Sequence, residues 1–156
     1  TPTKSSAASD VYKRQISTLK DLGVQPILIG DGDVSGGLKA AEGLVDLLYG
    51  IGAAPEGVIT ATAVKAMGGF FEGRLHFMDD SFKERALKML GSDINNLWSA
   101  DDLCKSTDSF FIASGVCSGW IPGVKFDGNK AEVTSKIIFG DSSETQIIIN
   151  EYITGE

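Results

Sequence analysis

Histidine and cysteine are nearly missing from this sequence: His76 stands alone, and Cys104 and Cys117 are the only thiols. A single imidazole, with no Ser or Cys and Asp arranged around it, leaves no legible nucleophilic triad. Two cysteines without CxxC spacing or a neighbouring His exclude a zinc knuckle and a disulfide framework. Their plain reading is a pair of reduced thiols in a cytoplasmic protein, with a disulfide as the alternative. No apolar run approaches the roughly 20 residues of a membrane span, and no leader pattern opens the given sequence. Basic residues are the minority, 14 against 21 acidic ones, for a formal charge of −7. That balance argues against a broad nucleic-acid surface. It leaves room for a small phosphorylated ligand, which a few cations in a cleft can attract.

What is present is enough for one domain with a real core: 156 residues, 42% hydrophobic. Residues 1–15, TPTKSSAASDVYKRQ, are polar, rich in small side chains and without clear periodicity. They read as a non-native, adapter-derived scar, the alternative being a natural disordered tail. The domain is expected over residues 16–156, as the carboxyl-terminal portion of a longer protein, since position 1 is not Met.

Ile16, Leu19 and Leu22 before Gly23 read as the end of an amphipathic helix. Val24 to Ile29 and Val45 to Tyr49 read as two buried strands, each followed by a loop and a helix. Pro55 suits the first turn of the second helix, which Gly68-Gly69 stops. Phe70 to Phe77 reads as a strand, Asp80 to Leu90 as a helix with acidic residues early and Lys88 late, and Ser99 to Asp102 as a near-capping box. Ser109 to Val116 is expected as a strand. Ile121 to Phe126, Glu132 to Phe139 and Thr145 to Ile153 follow as a strand meander with Asp127-Gly128-Asn129 and Gly140-Asp141-Ser142 as turns. The fold class is therefore α/β: a layered mixed sheet with a closing antiparallel meander.

The loops after the two apolar runs concentrate the chemistry. Asp31 and Asp33 flank Gly32. In a strand they would face one side about 7 Å apart, toward a metal or sugar hydroxyls; in an Asx turn they would only satisfy local amides. The loop from Gly50 to Gly57 has glycines at 50 and 52 and outward-pointing amides at a helix start. Glu56 adds a carboxylate there, where an anion would also sit, so a cation between the two is the functional reading and helix-dipole stabilisation the plain one. Neither a Walker loop nor a dinucleotide fingerprint is present. His76 reads as an exposed strand residue or a base, and Trp98 and Trp120 as packing residues.

The run from Asp31 to Thr62, with Asp-Gly-Asp-Val-Ser-Gly and then Gly-Ile-Gly-Ala-Ala-Pro-Glu-Gly-Val-Ile, resembles the class II fructose-1,6-bisphosphatases of the GlpX type. Lys65 to Gly69, Glu72 to Leu75 and Phe110 to Val116 continue the resemblance in order, over about residues 16 to 156. It implies a sugar-phosphatase fold and hydrolysis of the 1-phosphate of fructose 1,6-bisphosphate to fructose 6-phosphate, in some members also cleavage of sedoheptulose 1,7-bisphosphate. It implies Mg²⁺ or Mn²⁺ as cofactor with Glu56 as a metal ligand, and Asp31, Gly32, Asp33 and Ala53 as substrate-binding positions. It implies a homo-oligomer acting on a small sugar bisphosphate, in the cytoplasm or a plastid, with no nucleic-acid or membrane partner. No catalytic residue is assigned. Ala53 stands where the family normally has Gly. An Arg-Pro-Arg-His segment expected near Ser9 to Tyr12 is absent, and the loop with Ser114 and Ser118 departs from the usual Thr and Asp. The chain alone is therefore expected to be inactive. The alternatives are a non-catalytic binding or interaction module, and a sugar or inositol phosphatase of the same fold.

Overall fold

The structure, a computed structural model, describes residues 6–77, 79–142 and 144–154. It divides into two units that meet in sequence after Asp31, and each is described by itself.

The first unit carries helix α1, Ser6–Asp21. The helix starts ten residues before Ile16, within the segment read from sequence as lacking periodicity. It ends as expected at Gly23, whose φ of 80° lets the chain turn back. There the amide of Gly23 donates to Lys20 O and that of Val24 to Leu19 O. The run at 24–29 is not the strand expected from its apolar character: it has no regular structure, and Ile27, Leu28 and Ile29 are exposed. An apolar run fixes a strand only when a neighbouring backbone completes the ladder. Among the described residues, none pairs with it.

The second unit begins with α2, Asp33–Ala41, and α3, Ala54–Ala66. Between them the second expected strand, at 45–49, is also irregular; Leu47 and Tyr49 are exposed. Leu48 is half-buried and reaches toward Gly37 of α2. The reading from Phe70 to Phe77 shrinks to β1, Glu72–Gly73, which pairs antiparallel with β2, Trp98–Ser99. Helix α4, Asp80–Leu90, runs as expected into a 3₁₀ turn, Gly91–Asn95. Ser99 and Asp102 complete a reciprocal capping box at the start of α5, Ala100–Leu103.

The closing strands form, but the one expected from Ile121 to Phe126 shrinks to the three residues from Lys125 to Asp127 that find a partner in the following strand. Strands β3, Phe110–Ser114; β4, Lys125–Asp127; β5, Lys130–Phe139; and β6, Thr145–Ile153 make one sheet. The long strand β5 carries β4 and β3 in succession on one edge, and β6 on the other. Every ladder among the described residues is antiparallel, and the class is mixed helix and sheet, as expected, with the two apolar runs outside the sheet.

The core sits where α3 meets α2, α5, β3 and β5. Ala61, Ala63, Val64 and Ala66 of α3 are buried with Leu38, Ala100 and Ile138. Small residues let α2 and α3 approach closely: a Cβ on Gly37 would stand 2.5 Å from Thr60 Cγ2. Lys65, near the end of α3, donates to Cys104 O at 2.6 Å and pairs with Asp101 at 2.9 Å, tying α3 to α5. All nine residues of β6 are exposed, including four isoleucines and Tyr152.

Candidate functional site

The start of α2 is shaped by one backbone feature. Gly32, the residue before the helix, takes the left-handed conformation at φ 83°, ψ 37°. A side chain there would be strained, so glycine answers a conformational need. The amide of Gly36 donates to Gly32 O at 3.0 Å and closes the first helical turn. Asp33 is the first residue of that turn and is exposed. The same-side strand geometry envisaged for Asp31 and Asp33 does not form, because the chain passes from a left-handed residue directly into a helix. Asp31 belongs to the first unit and Asp33 to the second.

The start of α3 is built differently. Ala53 precedes the helix in an extended conformation, φ −75° and ψ 152°. Its carbonyl accepts the first intrahelical bond from Gly57 at 3.1 Å. The amides of Ala54 and Glu56 precede that bond and belong to the electropositive helix end. Pro55 has no amide to leave unsatisfied. The Glu56 carboxylate is exposed in this first turn, while its carbonyl accepts from Thr60 Oγ1 at 2.7 Å.

The two helix starts come together through Asp33 and Gly52. A Cβ built on Gly52 would lie 2.9 Å from Asp33 Oδ2. The Asp33 carboxylate therefore occupies the space a side chain at 52 would need, one residue before Ala53. Of the positions singled out from sequence, the second unit thus joins Asp33 to the loop holding Ala53 and leads from it to Glu56. Glu56 offers one oxygen-donor group of the kind Mg²⁺ or Mn²⁺ takes. Among the described residues, however, no three His, Cys, Asp or Glu side chains cluster closely enough to hold a metal ion. The donor set among the described residues does not by itself make a metal cage.

His76 is exposed in the irregular segment between β1 and α4 and lies in no strand. The carboxyl groups clearly shifted from their ordinary value cap helices instead. Asp79 is held low by the Ser81 hydroxyl first and then by the amides of Phe82 and Ser81. Asp102 is held low by the hydroxyl and amide of Ser99. Cys104 is half-buried and Cys117 exposed, both as free thiols.

A cluster that sequence reasoning missed lies beside α2. Trp120, read there as a packing residue, donates its indole N–H to Glu42 Oε2 at 2.7 Å. Lys136 lies 4.4 Å from the Trp120 ring centroid and pairs with Glu42 Oε1. Residues 42, 120 and 136 are too distant in sequence for any spacing rule to have joined them.

The bacterial, glpX-encoded fructose-1,6-bisphosphatase family matches residues 9–152 of this chain. A relative from Trichodesmium erythraeum (strain IMS101), named D-fructose 1,6-bisphosphatase class 2/sedoheptulose 1,7-bisphosphatase, is 33% identical over 162 residues, covering 93% of this chain and 46% of the relative. One of the same name from Gloeobacter violaceus (strain ATCC 29082 / PCC 7421) is 31% identical over 159 residues, covering 92% and 46%. A third, from Acaryochloris marina (strain MBIC 11017) and named as form 2 of that enzyme, is 34% identical over 148 residues, covering 85% and 42%. The chain spans about half the length of the curated relatives it matches. With the family match running through both helix starts and the closing sheet, this chain belongs to the bacterial, glpX-encoded fructose-1,6-bisphosphatases.

Proposed function

We propose that residues 16–156 are the carboxyl-terminal portion of a sugar-bisphosphatase domain. The whole protein removes the 1-phosphate of fructose 1,6-bisphosphate to give fructose 6-phosphate, and also accepts sedoheptulose 1,7-bisphosphate. The family match and the relatives' names support the substrate class. The single observation that carries the site is the meeting of the Asp33 carboxylate with the Gly52 loop ahead of Glu56.

Each residue then has a physical task. Asp33, exposed beside a backbone without a Cβ, accepts hydrogen bonds from sugar hydroxyls; a substrate-binding role for Asp31 and Gly32 rests on the resemblance alone. Ala53 contacts the substrate through its backbone, its methyl standing where the family normally has glycine, and the amides at the start of α3 face the ligand's negative charge. Much of the rate then comes from holding the ester in one orientation for in-line displacement by water. Glu56 would contribute one ligand to Mg²⁺ or Mn²⁺ in the whole protein. That cation, when present, neutralises phosphate charge and supplies an activated water.

The reading places the protein in an aqueous compartment, cytoplasm or plastid, in keeping with two free thiols. Among the described residues, no helix is long and apolar enough to cross a membrane. Assembly of like chains is part of the proposal, and it rests on the resemblance alone.

The test is Glu56→Gln in the whole protein, assayed on fructose 1,6-bisphosphate, sedoheptulose 1,7-bisphosphate and an inositol monophosphate across Mg²⁺ and Mn²⁺ titrations. Loss of turnover with an unchanged thermal midpoint is expected. Wild-type turnover would remove Glu56 from the mechanism. A parent protein that cleaves only the inositol ester, or no phosphate ester at all, would overturn the substrate assignment.

A further inference from the structure

The connection between β3 and β4 is a closed, internally braced loop, and its tip lies against the first turn of α2. At the neck, the amide of Gly115 donates to Thr134 O at 2.9 Å and that of Val124 to Val116 O at 3.2 Å. The two arms touch where only glycine fits. A Cβ on Gly115 would overlap the carbonyl of Pro122, and one on Gly123 would stand 2.6 Å from the amide nitrogen of Ser118. Nearer the tip, Gly119 N–H donates to Ile121 O at 3.1 Å and Gly123 N–H to Ser118 Oγ at 3.4 Å. Such a loop holds its shape from within, as compact surface loops with closed necks do.

Two contacts fix this loop along α2. At the carboxyl end of the helix, both oxygens of Glu42 are engaged, one by the Trp120 indole and the other by Lys136. The Lys136 ammonium lies over the Trp120 ring, and Phe111 packs against that ring at 6.4 Å between centroids. At the amino end, a Cβ on Gly119 would lie 3.9 Å from Ser35 Oγ, an ordinary contact distance. Ser35 is two residues beyond Asp33 in the same helical turn. The Gly52 loop, the first turn of α2 and Gly119 at the loop's tip therefore adjoin in that order, with Cys117 and Ser118 next to Gly119 in the chain. The tip brings a thiol, a hydroxyl and a glycine, with no carboxylate to repel an anion.

We propose that the Cys117–Gly119 tip is a further wall of the sugar-bisphosphate site, and that Trp120 is the positioning residue that holds it there through Glu42 and Lys136. The proposal rests on the functional reading above and adds a specificity element to it. Ground-state contact with the sugar is the tip's task, so its displacement acts on KM and leaves the chemical step in place.

Trp120→Phe in the whole protein keeps an aromatic ring but removes the N–H to Glu42, together with the fused pyrrole ring and part of the attraction for Lys136. KM for fructose 1,6-bisphosphate should rise about fivefold or more, the loss of one charge-assisted hydrogen bond, with kcat within about twofold. Alkylation of Cys117 by iodoacetamide should quicken in that variant. In the parent, the bisphosphate should slow alkylation of Cys117 and not that of Cys104. Gly119→Ala is a second variant whose added methyl meets only van der Waals contact and therefore folds; it should raise KM in the same way. Lys125→Met, which breaks an exposed β4–β5 ion pair outside the loop, should leave KM and thiol rates unchanged. Unaltered KM in both loop variants, or an unprotected Cys117 in a parent that turns over substrate, would overturn the proposal while leaving the bisphosphatase reading intact. A parent that hydrolyses no sugar bisphosphate would overturn both.

Discussion

The carboxylate of Asp33 fills the space beside Gly52 that a side chain would otherwise occupy, with Oδ2 2.9 Å from where a Cβ would stand. The atom in the way is the end of a short side chain and not backbone, so an added methyl displaces the carboxylate without breaking the helix. Gly52→Ala should leave folding stability within about 1 kcal/mol, because the narrowed unfolded ensemble offsets the local crowding. In the whole protein it should weaken substrate use roughly tenfold or more, since small misplacement of an orienting group is costly. Urea denaturation and KM, measured together, check both halves; unchanged KM would separate Asp33 from substrate.

Packing between the first two helices of the second unit gives a sharper stability test. A Cβ on Gly37 would stand 2.5 Å from Thr60 Cγ2, and Thr60 is only 7% exposed. Gly37→Ala should destabilise the chain by about 1–3 kcal/mol through overpacking. Adding Thr60→Ser deletes the obstructing methyl while keeping the hydroxyl that donates to Glu56 O. The double variant should recover most of the loss in chemical denaturation. Additive losses would show that the two residues do not touch.

Asp79 ties helix α4 to pH. Hydrogen bonds from the Ser81 hydroxyl and from the amides of Phe82 and Ser81 hold its carboxyl below the ordinary value of 3.8. Because the folded form binds the proton less tightly than the unfolded one, the cap contributes fully above that ordinary value. The contribution is lost as pH falls through the lowered folded value. Amide exchange at Ser81 and Phe82 should therefore quicken, beyond its intrinsic pH dependence, only in acid. In Asp79→Ala it should already be fast at neutral pH, and protection equal to the parent's would contradict the cap.

The 156-residue chain by itself should not hydrolyse fructose 1,6-bisphosphate. Among its described residues no cluster suited to a metal ion exists, and the phosphate-gripping arginine segment implied by the resemblance is absent near residues 9–12. Phosphate release by the purified chain at any Mg²⁺ or Mn²⁺ concentration would show that Glu56 and the two helix starts suffice.

Local rules accounted for much of the second unit. The capping box at Ser99 and Asp102, the acidic start of α4, and strands β5 and β6 formed where residue type and the intervening turns placed them. Each depends on interactions within a few residues or on a turn joining adjacent strands. The runs at 24–29 and 45–49 did not become strands, because apolar character is shared by every buried conformation and only a pairing backbone selects among them. The first helix reached back to Ser6, into a segment that hydrophobic periodicity alone did not mark.

The sequence by itself determined the family, through the order of Asp31-Gly32-Asp33 and Pro55-Glu56-Gly57, and the closing antiparallel strands, through strand-rich runs set between turn residues. The left-handed turn before α2 was not marked there: it falls at Gly32, while the glycines singled out, at 50 and 52, are not among those with positive φ. Only tertiary structure decided that Asp33 meets Gly52, that Ser35 lies by Gly119, and that Glu42, Lys136 and Trp120 share one cluster. Those contacts join side chains far apart along the chain. Their geometry follows from how helices and sheet pack, and no local spacing encodes it.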